Sequence, residues 1–239
     1  MNSARLARPR SFPAWFLGAY RDGRNVTAAI STWLALCVAV FVDEGPPFFF
    51  NALWVAIFAA AAVAIGFACT WRVRPYTTRA PSSRIALFTA AGMFGSLFGG
   101  LVLGQLLLIE MLDPEVARSV VSKSELATTQ LVVRAFGASV LEEVVVRLLG
   151  IGALAWLLTW RMDFSPARAF KFTLLMSAAF FGLVHMPAVS SAGFVIVSVN
   201  ALGGLLLGWI FWRWGLPYAI TCHFAGGLII QGFGPTVLA

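Results

Sequence analysis

The run Glu142-Glu143-Val144-Val145-Val146-Arg147 sets three charges into an otherwise apolar, helix-length stretch, between Ala138, Val140 and Leu141 on one side and Leu148, Leu149 and Ile151 on the other. In a bilayer such charges are costly, and they stand where they pair or act. Neighbouring helix positions point about 100° apart, so Glu142 and Glu143 cannot serve the same contact. Glu143 and Arg147 are at i and i+4 with the glutamate first, the favourable order for an ion pair along one face. That pair would neutralise Arg147 and keep Glu143 ionised. Glu142 has Val146 at i+4 and must find a proton, a water or a partner on another helix.

The only two histidines also lie in apolar runs, His185 in Phe180–Pro187 and His223 in Thr221–Gly227. Together these groups have the makings of a hydrolytic site. Glu142 would act as general base toward a water, with Glu143 and Arg147 as the orienting pair. His185 and His223 could join Glu142 in a two-His, one-carboxylate zinc set. They could instead donate hydrogen bonds to a developing oxyanion, with no metal. The residues leave these alternatives open, although the absence of H-E-x-x-H excludes the zincin helix. The competing structural account is a polar network that only holds the helices together. Gly137-Ala138-Ser139-Val140 lacks the last glycine of the rhomboid G-x-S-G motif, and Ser139, at i−3, is expected to share the Glu142 face as a hydrogen-bond partner. Cys222 points away from His223 on any helix, so a thiol–imidazole pair is not expected.

The elements that must position these groups are membrane helices. The chain is 60% apolar and only 11% charged, with a mean hydropathy of +0.86, against about 25% charged residues in soluble domains. This is the composition of an all-α, polytopic transmembrane bundle with its site in an intramembrane cavity. The net charge of +7 is no nucleic-acid footprint. It comes from short arginine-rich ends and loops, the pattern of cytoplasmic segments. Residues 1–25, with Arg5, Arg8, Arg10, Arg21 and Arg24, read as a basic cytoplasmic tail rather than a signal peptide. Residues 26–239 read as one transmembrane domain. Cys37, Cys69 and Cys222 sit in separate apolar runs and form no disulfide pattern.

The expected spans are Val26–Val42, Phe48–Trp71, Ile85–Ile109, Ala169–Met186, Val189–Trp212 and Leu216–Phe233, with a tight turn at Arg213–Gly215. Arg72, Arg74, Arg79 and Arg84 crowd one loop, placed in the cytoplasm. The five glycines of Ile85–Ile109 mark a closely packed interior helix. Glu110–Glu125 is a polar outer connection, with a helix-start capping box at Ser122–Glu125. The stretch Leu126–Trp160 exceeds the ~20 residues that one crossing needs. It is either one long tilted helix or a pass plus a short return broken near Gly150 and Gly152. The count is therefore seven or eight passes. Eight is favoured because Glu142 and His185, equally far from their helix starts, would then enter from the same face. That choice puts Arg161, Arg168 and Lys171 outside, against the positive-inside tendency.

In order, E-E-x-x-x-R (Glu142, Glu143, Arg147), F-x-x-x-H (Phe181, His185), the glycine-rich Gly203–Arg213 and a terminal histidine helix resemble the CPBP family. These are the CAAX-prenyl-endopeptidase and bacteriocin-processing (Abi) intramembrane proteases, and the resemblance covers residues 126–227. It implies a helical bundle in which Glu142 and His185 activate water, His223 stabilises the oxyanion, and Glu143 and Arg147 support the site. Two positions depart from the pattern. Gly227 stands four after His223, where the family usually has Asn or Asp. Leu148 follows the motif arginine, where glycine is usual. Asn200, an intramembrane amide on the preceding helix, is a candidate replacement for the missing polar group. The expected function is an intramembrane endopeptidase acting on a membrane-associated or lipidated peptide or protein. Its cofactor would be a divalent metal such as zinc, or none. Its partners would be the lipid bilayer and the substrate, with no nucleic acid. The implied location is a bacterial inner (plasma) membrane with a cytoplasmic N-terminus. Two other classes stay open: a weak or inactive scaffold or immunity protein of the same fold, favoured by Gly227, and a proton-coupled transporter, disfavoured by the lack of inverted repeats.

Overall fold

A computed structural model describes residues 26–37 (apart from 28 and 36), 49–73, 83–121, 128–187 and 190–238. The basic tail, Arg74, Arg79 and the Ser122–Glu125 capping box lie outside these. Every described element is a helix, in keeping with a chain whose backbone polar groups must be satisfied within each membrane segment. We number them α1 (Phe49–Val73), α2 (Arg84–Leu112), α3 (Pro114–Val121), α4 (Thr128–Glu142), α5 (Gly152–Arg161), α6 (Pro166–Val184), α7 (Gly193–Arg213) and α8 (Leu216–Val237). The described part of residues 26–37 is helical as well. Helices α2, α6 and α7 are each long and apolar enough to cross a membrane.

Between α4 and α5 the chain does not break. Residues Glu143–Ile151 form a π-helix, and Glu142, Ile151 and Gly152 all keep right-handed helical angles. Thr128–Arg161 is therefore one rod, roughly 50 Å long at 1.5 Å per residue. This corrects the preference for eight passes. Gly152 marks a close helix contact rather than a return, since a Cβ there would collide with the Thr70 hydroxyl of α1. The packing of α2 on α8 agrees. Phe88 meets Tyr218, Gly95 meets Cys222 and Gly99 meets Gly226, so the two helices run parallel. Parallel packing needs an odd number of passes between them, which the rod, α6 and α7 supply.

Local sequence explains the junctions. Ser165 caps α6 by accepting from the Arg168 N–H, with Pro166 in the first turn, where its missing donor costs nothing. Gly215, at φ 115°, makes the sharp reversal into α8, a conformation that favours glycine. Asp113 joins α2 to α3: it accepts from the Val116 N–H and from the Ser190 hydroxyl at 2.7 Å. The Ser190 hydroxyl, then the Val116 N–H, hold the Asp113 carboxyl below its usual range. This tie is therefore at full strength in neutral solution and loosens in acid as the carboxylate takes up a proton.

The core that supports the site lies where the rod meets α1, α6 and α7. It includes Leu148, Ile151, Ala155, Ile210, Phe211 and Leu216, with Phe170 stacked on Trp212 at 4.3 Å. Leu148 is fully buried, and its Cγ would stand 2.7 Å from a Cβ at Gly66. The large residue on the rod is thus matched by a missing side chain on α1. Against α8, a Cβ on Gly95 would strike the Cys222 carbonyl, and one on Gly99 would lie 2.7 Å from the Gly226 carbonyl. Close approach of this kind is the role of small residues in membrane helix packing. Gly95→Ala is expected to destabilise the fold by about 1–3 kcal/mol through overpacking and to shift His223 with α8. Gly92→Ala, with open space at its Cβ, should be nearly neutral; thermal unfolding in detergent compares the two.

Candidate active site

Glu142 is the last residue of α4 and Glu143 the first of the π-helix. In the antiparallel hairpin of rod and α6, Glu142 lies as many residues before Arg161 as His185 lies after Pro166. The two therefore meet at one level, although their helices start from opposite faces. The expectation that they must enter from the same face is overturned, because the rod is longer than a simple crossing.

Side chains from three helices, the rod, α6 and α8, converge at one carboxylate oxygen. Glu142 Oε2 lies 3.9 Å from His185 Nε2 and 3.8 Å from His223 Nε2. These gaps exceed a hydrogen bond. The far nitrogen of each ring is held. His185 Nδ1 donates to the Phe181 carbonyl oxygen at 2.7 Å, and His223 Nδ1 donates to Glu143 Oε1 at 3.0 Å. Neither acceptor can donate in return, so each neutral imidazole turns its Nε2 lone pair toward Glu142. Glu142 and His185 keep about a third of their side-chain surface, 32% and 34%, and His223 keeps 21%. The Glu142 Oε2 atom itself is buried and has no hydrogen-bond partner among the described residues.

Behind this front, Glu143 and Arg147 are wholly buried, with Arg147 Nε 3.3 Å from Glu143 Oε2. The guanidinium lies over the Phe181 ring, 4.6 Å from its centroid, a favourable cation–π placement. Among the described residues the three guanidinium nitrogens have no hydrogen bond of good geometry. Charge and ring contact hold this cation. Phe181 thus does three things: it seats Arg147, accepts from His185 and packs edge-on against His223, with centroids 5.9 Å apart. Its motif position drew attention, but these contacts are not readable from a phenylalanine in an apolar run.

Asn200 donates from Nδ2 to the Ile196 carbonyl of its own helix at 2.9 Å. It shares with His185, His223 and Gly227 the wall of a cavity of about 300 Å³ between α2, α6, α7 and α8. No hydrogen bond links it to the histidines or glutamates. Ser139 donates to the Ala135 carbonyl at 2.7 Å, so the expected bond to Glu142 is not made. Cys222 is buried, and its thiol has no histidine partner among the described contacts.

The donor set was tested for a metal. Zinc bonds of about 2.0–2.1 Å require tetrahedral ligand atoms closer together than these gaps of 3.8 and 3.9 Å. Among the described residues no group of three or more His, Cys, Asp or Glu stands at metal-holding spacing. The residues as placed do not fit zinc.

Comparison with known proteins supplies one match. Residues 124–229 match the family model described as type II CAAX prenyl endopeptidase Rce1-like. No curated protein matches. No solved structure matches. The matched segment holds the charged run, both histidines and the glycine-rich α7, and His185, His223 and Gly203 line the cavity. Residues 124–229, a little under half of the chain, are therefore similar to the Rce1-like family model, which supports the CPBP resemblance carried by the motifs.

Proposed function

We propose that the protein is an intramembrane endopeptidase that hydrolyses a peptide bond with a water activated by Glu142. The observation that carries this reading is the convergence of two imidazole Nε2 atoms on one buried, unpaired carboxylate oxygen of a partly exposed glutamate, at distances too long for direct hydrogen bonds. A water placed there donates one proton to Glu142 as its oxygen attacks the scissile carbonyl carbon. His223, when protonated, donates from Nε2 to the developing oxyanion, while Glu143 balances the imidazolium from the other side. His185, fixed by the Phe181 carbonyl, keeps the water in line. On collapse the carbon–nitrogen bond breaks, and Glu142 returns its proton to the departing amine. The balance is one water consumed, with a carboxyl and an amine as products. Cleavage of a fluorogenic peptide with and without the Glu142 carboxylate tests this, and adding a chelator to the same reaction asks whether a metal contributes.

The substrate is a membrane-associated peptide or protein, with or without a lipid anchor, because the cavity is mostly apolar and lies between membrane helices. The single rod brings Arg84, Arg161, Arg168, Lys171 and Arg213 to one end of the bundle by connectivity. That end is the cytoplasmic one by the positive-inside tendency, which places the N-terminal tail in the cytoplasm as well. A bacterial inner membrane is the location proposed.

One observation favours the second reading, a weak or inactive scaffold of the same fold. Gly227 brings no polar group to the cavity wall, and Asn200 does not reach the histidines. A Cβ at Gly227 would meet only the Ala135 Cβ, at an ordinary 3.8 Å, so the wall has room for an amide. Gly227→Asn is expected to raise peptide cleavage ~10-fold or more by adding a hydrogen-bond donor near the oxyanion, read by initial rates in detergent. If the parent and this variant are both folded and inert, the scaffold reading stands instead.

A further inference from the structure

The α2 wall of the cavity contains a polar group that the proposed reaction does not use. Gln105 sits on α2 among Val102, Leu106 and Ile109, and its Oε1 is buried with no hydrogen-bond partner among the described residues. A buried amide oxygen left unpaired costs about 1–3 kcal/mol. A glutamine in the middle of an apolar membrane helix is an expensive choice where leucine would fit. A rotation of the amide toward the cavity that Gln105 lines would let a group entering it supply the partner and offset that cost.

Its position says what that partner is. α2 touches α8 beside His223, at the Gly95–Cys222 contact, and Gln105 stands farther along the same helix, roughly 15 Å at 1.5 Å per residue. Asn200 belongs to the same stretch of wall, one turn from Gly203, which packs on Phe98. An extended chain covers about 3.3 Å per residue. A peptide whose reacting carbonyl lies at Glu142 thus passes Gln105 some three to five residues away. Its side chains meet an apolar lining, while its backbone N–H and C=O groups need partners. A primary amide offers both an acceptor and two donors.

We propose, building on the endopeptidase reading, that Gln105 is a substrate-binding residue whose side-chain amide hydrogen-bonds a backbone peptide group of an extended substrate, setting its register in the cavity. Gln105 takes no part in bond cleavage and selects for a peptide chain over a lipid tail alone.

The test uses full-length protein in detergent micelles and a capped, fluorescein-labelled octapeptide of Leu, Ala and Val. Binding is read by anisotropy on the Glu142→Gln background, so it does not depend on hydrolysis. Q105L is expected to weaken binding ~10-fold, to leave thermal stability equal or higher, and to raise KM with kcat nearly unchanged where the active protein cleaves the peptide. A scan replacing single backbone amides by esters should find one position that costs the parent ~10-fold and Q105L almost nothing, the non-additivity of a direct contact. Equal binding by Q105L, an ester penalty that persists in it, or no binding by either protein overturns the inference. Gln105-dependent binding without any Glu142-dependent cleavage leaves it standing and removes the hydrolytic reading.

Discussion

Glu142→Gln is expected to lower cleavage of a fluorogenic peptide library by ~10²-fold or more, with kcat carrying the loss and KM little changed. The amide keeps the size and hydrogen-bonding reach of the carboxyl group but cannot take a proton from water. The geometry makes the substitution clean. Glu142 makes no direct hydrogen bond to another side chain among the described residues, its Oε2 standing 3.8–3.9 Å from two imidazole nitrogens. It is also partly solvated, so removing its charge strands no buried partner. The variant should elute and melt like the parent. Retained cleavage in the folded variant would show that another group is the base and would sink the mechanism. Loss of activity together with loss of the monodisperse peak would say nothing of chemistry, which is why both are recorded on one sample. His223 gives the mechanism its other half: with Nδ1 committed to Glu143, it can gain a proton only at Nε2, the atom that faces the reacting centre.

Much of this site could be read before any coordinates. A glutamate pair inside a membrane helix has few cheap fates, and the i,i+4 order of Glu143 and Arg147 named one of them. The orphan status of Glu142 sent it to partners on other helices, and His185 at the end of α6 and His223 on α8 both stand within 4 Å. What could not be read has physical causes. Helical periodicity assumes 3.6 residues per turn, and Glu143–Ile151 is a π-helix, a form that sequence patterns do not announce and that gathers at functional sites. Gly150 and Gly152 looked like a chain reversal because glycine serves equally as a breaker and as a gap for a neighbouring helix. Only the Thr70 contact separates the two uses. The error then propagated, since a supposed return changed the parity of every later pass. Gln105 was missed for the opposite reason: one neutral polar residue in an apolar run is common, and its significance lies in its unpaired oxygen, a property of the packing alone.

Arg147→Met should destabilise the fold by about 3–5 kcal/mol, the usual consequence of removing one partner of a buried ion pair. Arg147 and Glu143 are both completely inaccessible, so no water replaces the lost cation, and the glutamate must be protonated or remain an uncompensated charge. Methionine fills a similar volume beside Phe181, which separates the electrostatic effect from a cavity effect. The comparison that decides the matter is the double variant Glu143→Gln with Arg147→Met. Two neutral groups of the same shape need no mutual neutralisation, so the double variant should recover most of the lost stability in thermal or denaturant unfolding. Cleavage should stay low in both. His223 then has at best a neutral amide where Glu143 Oε1 accepted at 3.0 Å, and its protonated form loses the charge that balances it. Stability recovered without activity would assign the pair two separable duties, closing the rod against α6 and α8 and holding His223 ready for an oxyanion. Activity recovered along with stability would reduce Glu143 to a packing residue and leave Glu142 to work with His185 alone. A cost below about 1 kcal/mol for Arg147→Met would mean that the buried pair contributes little beyond an apolar isostere, as some buried pairs do.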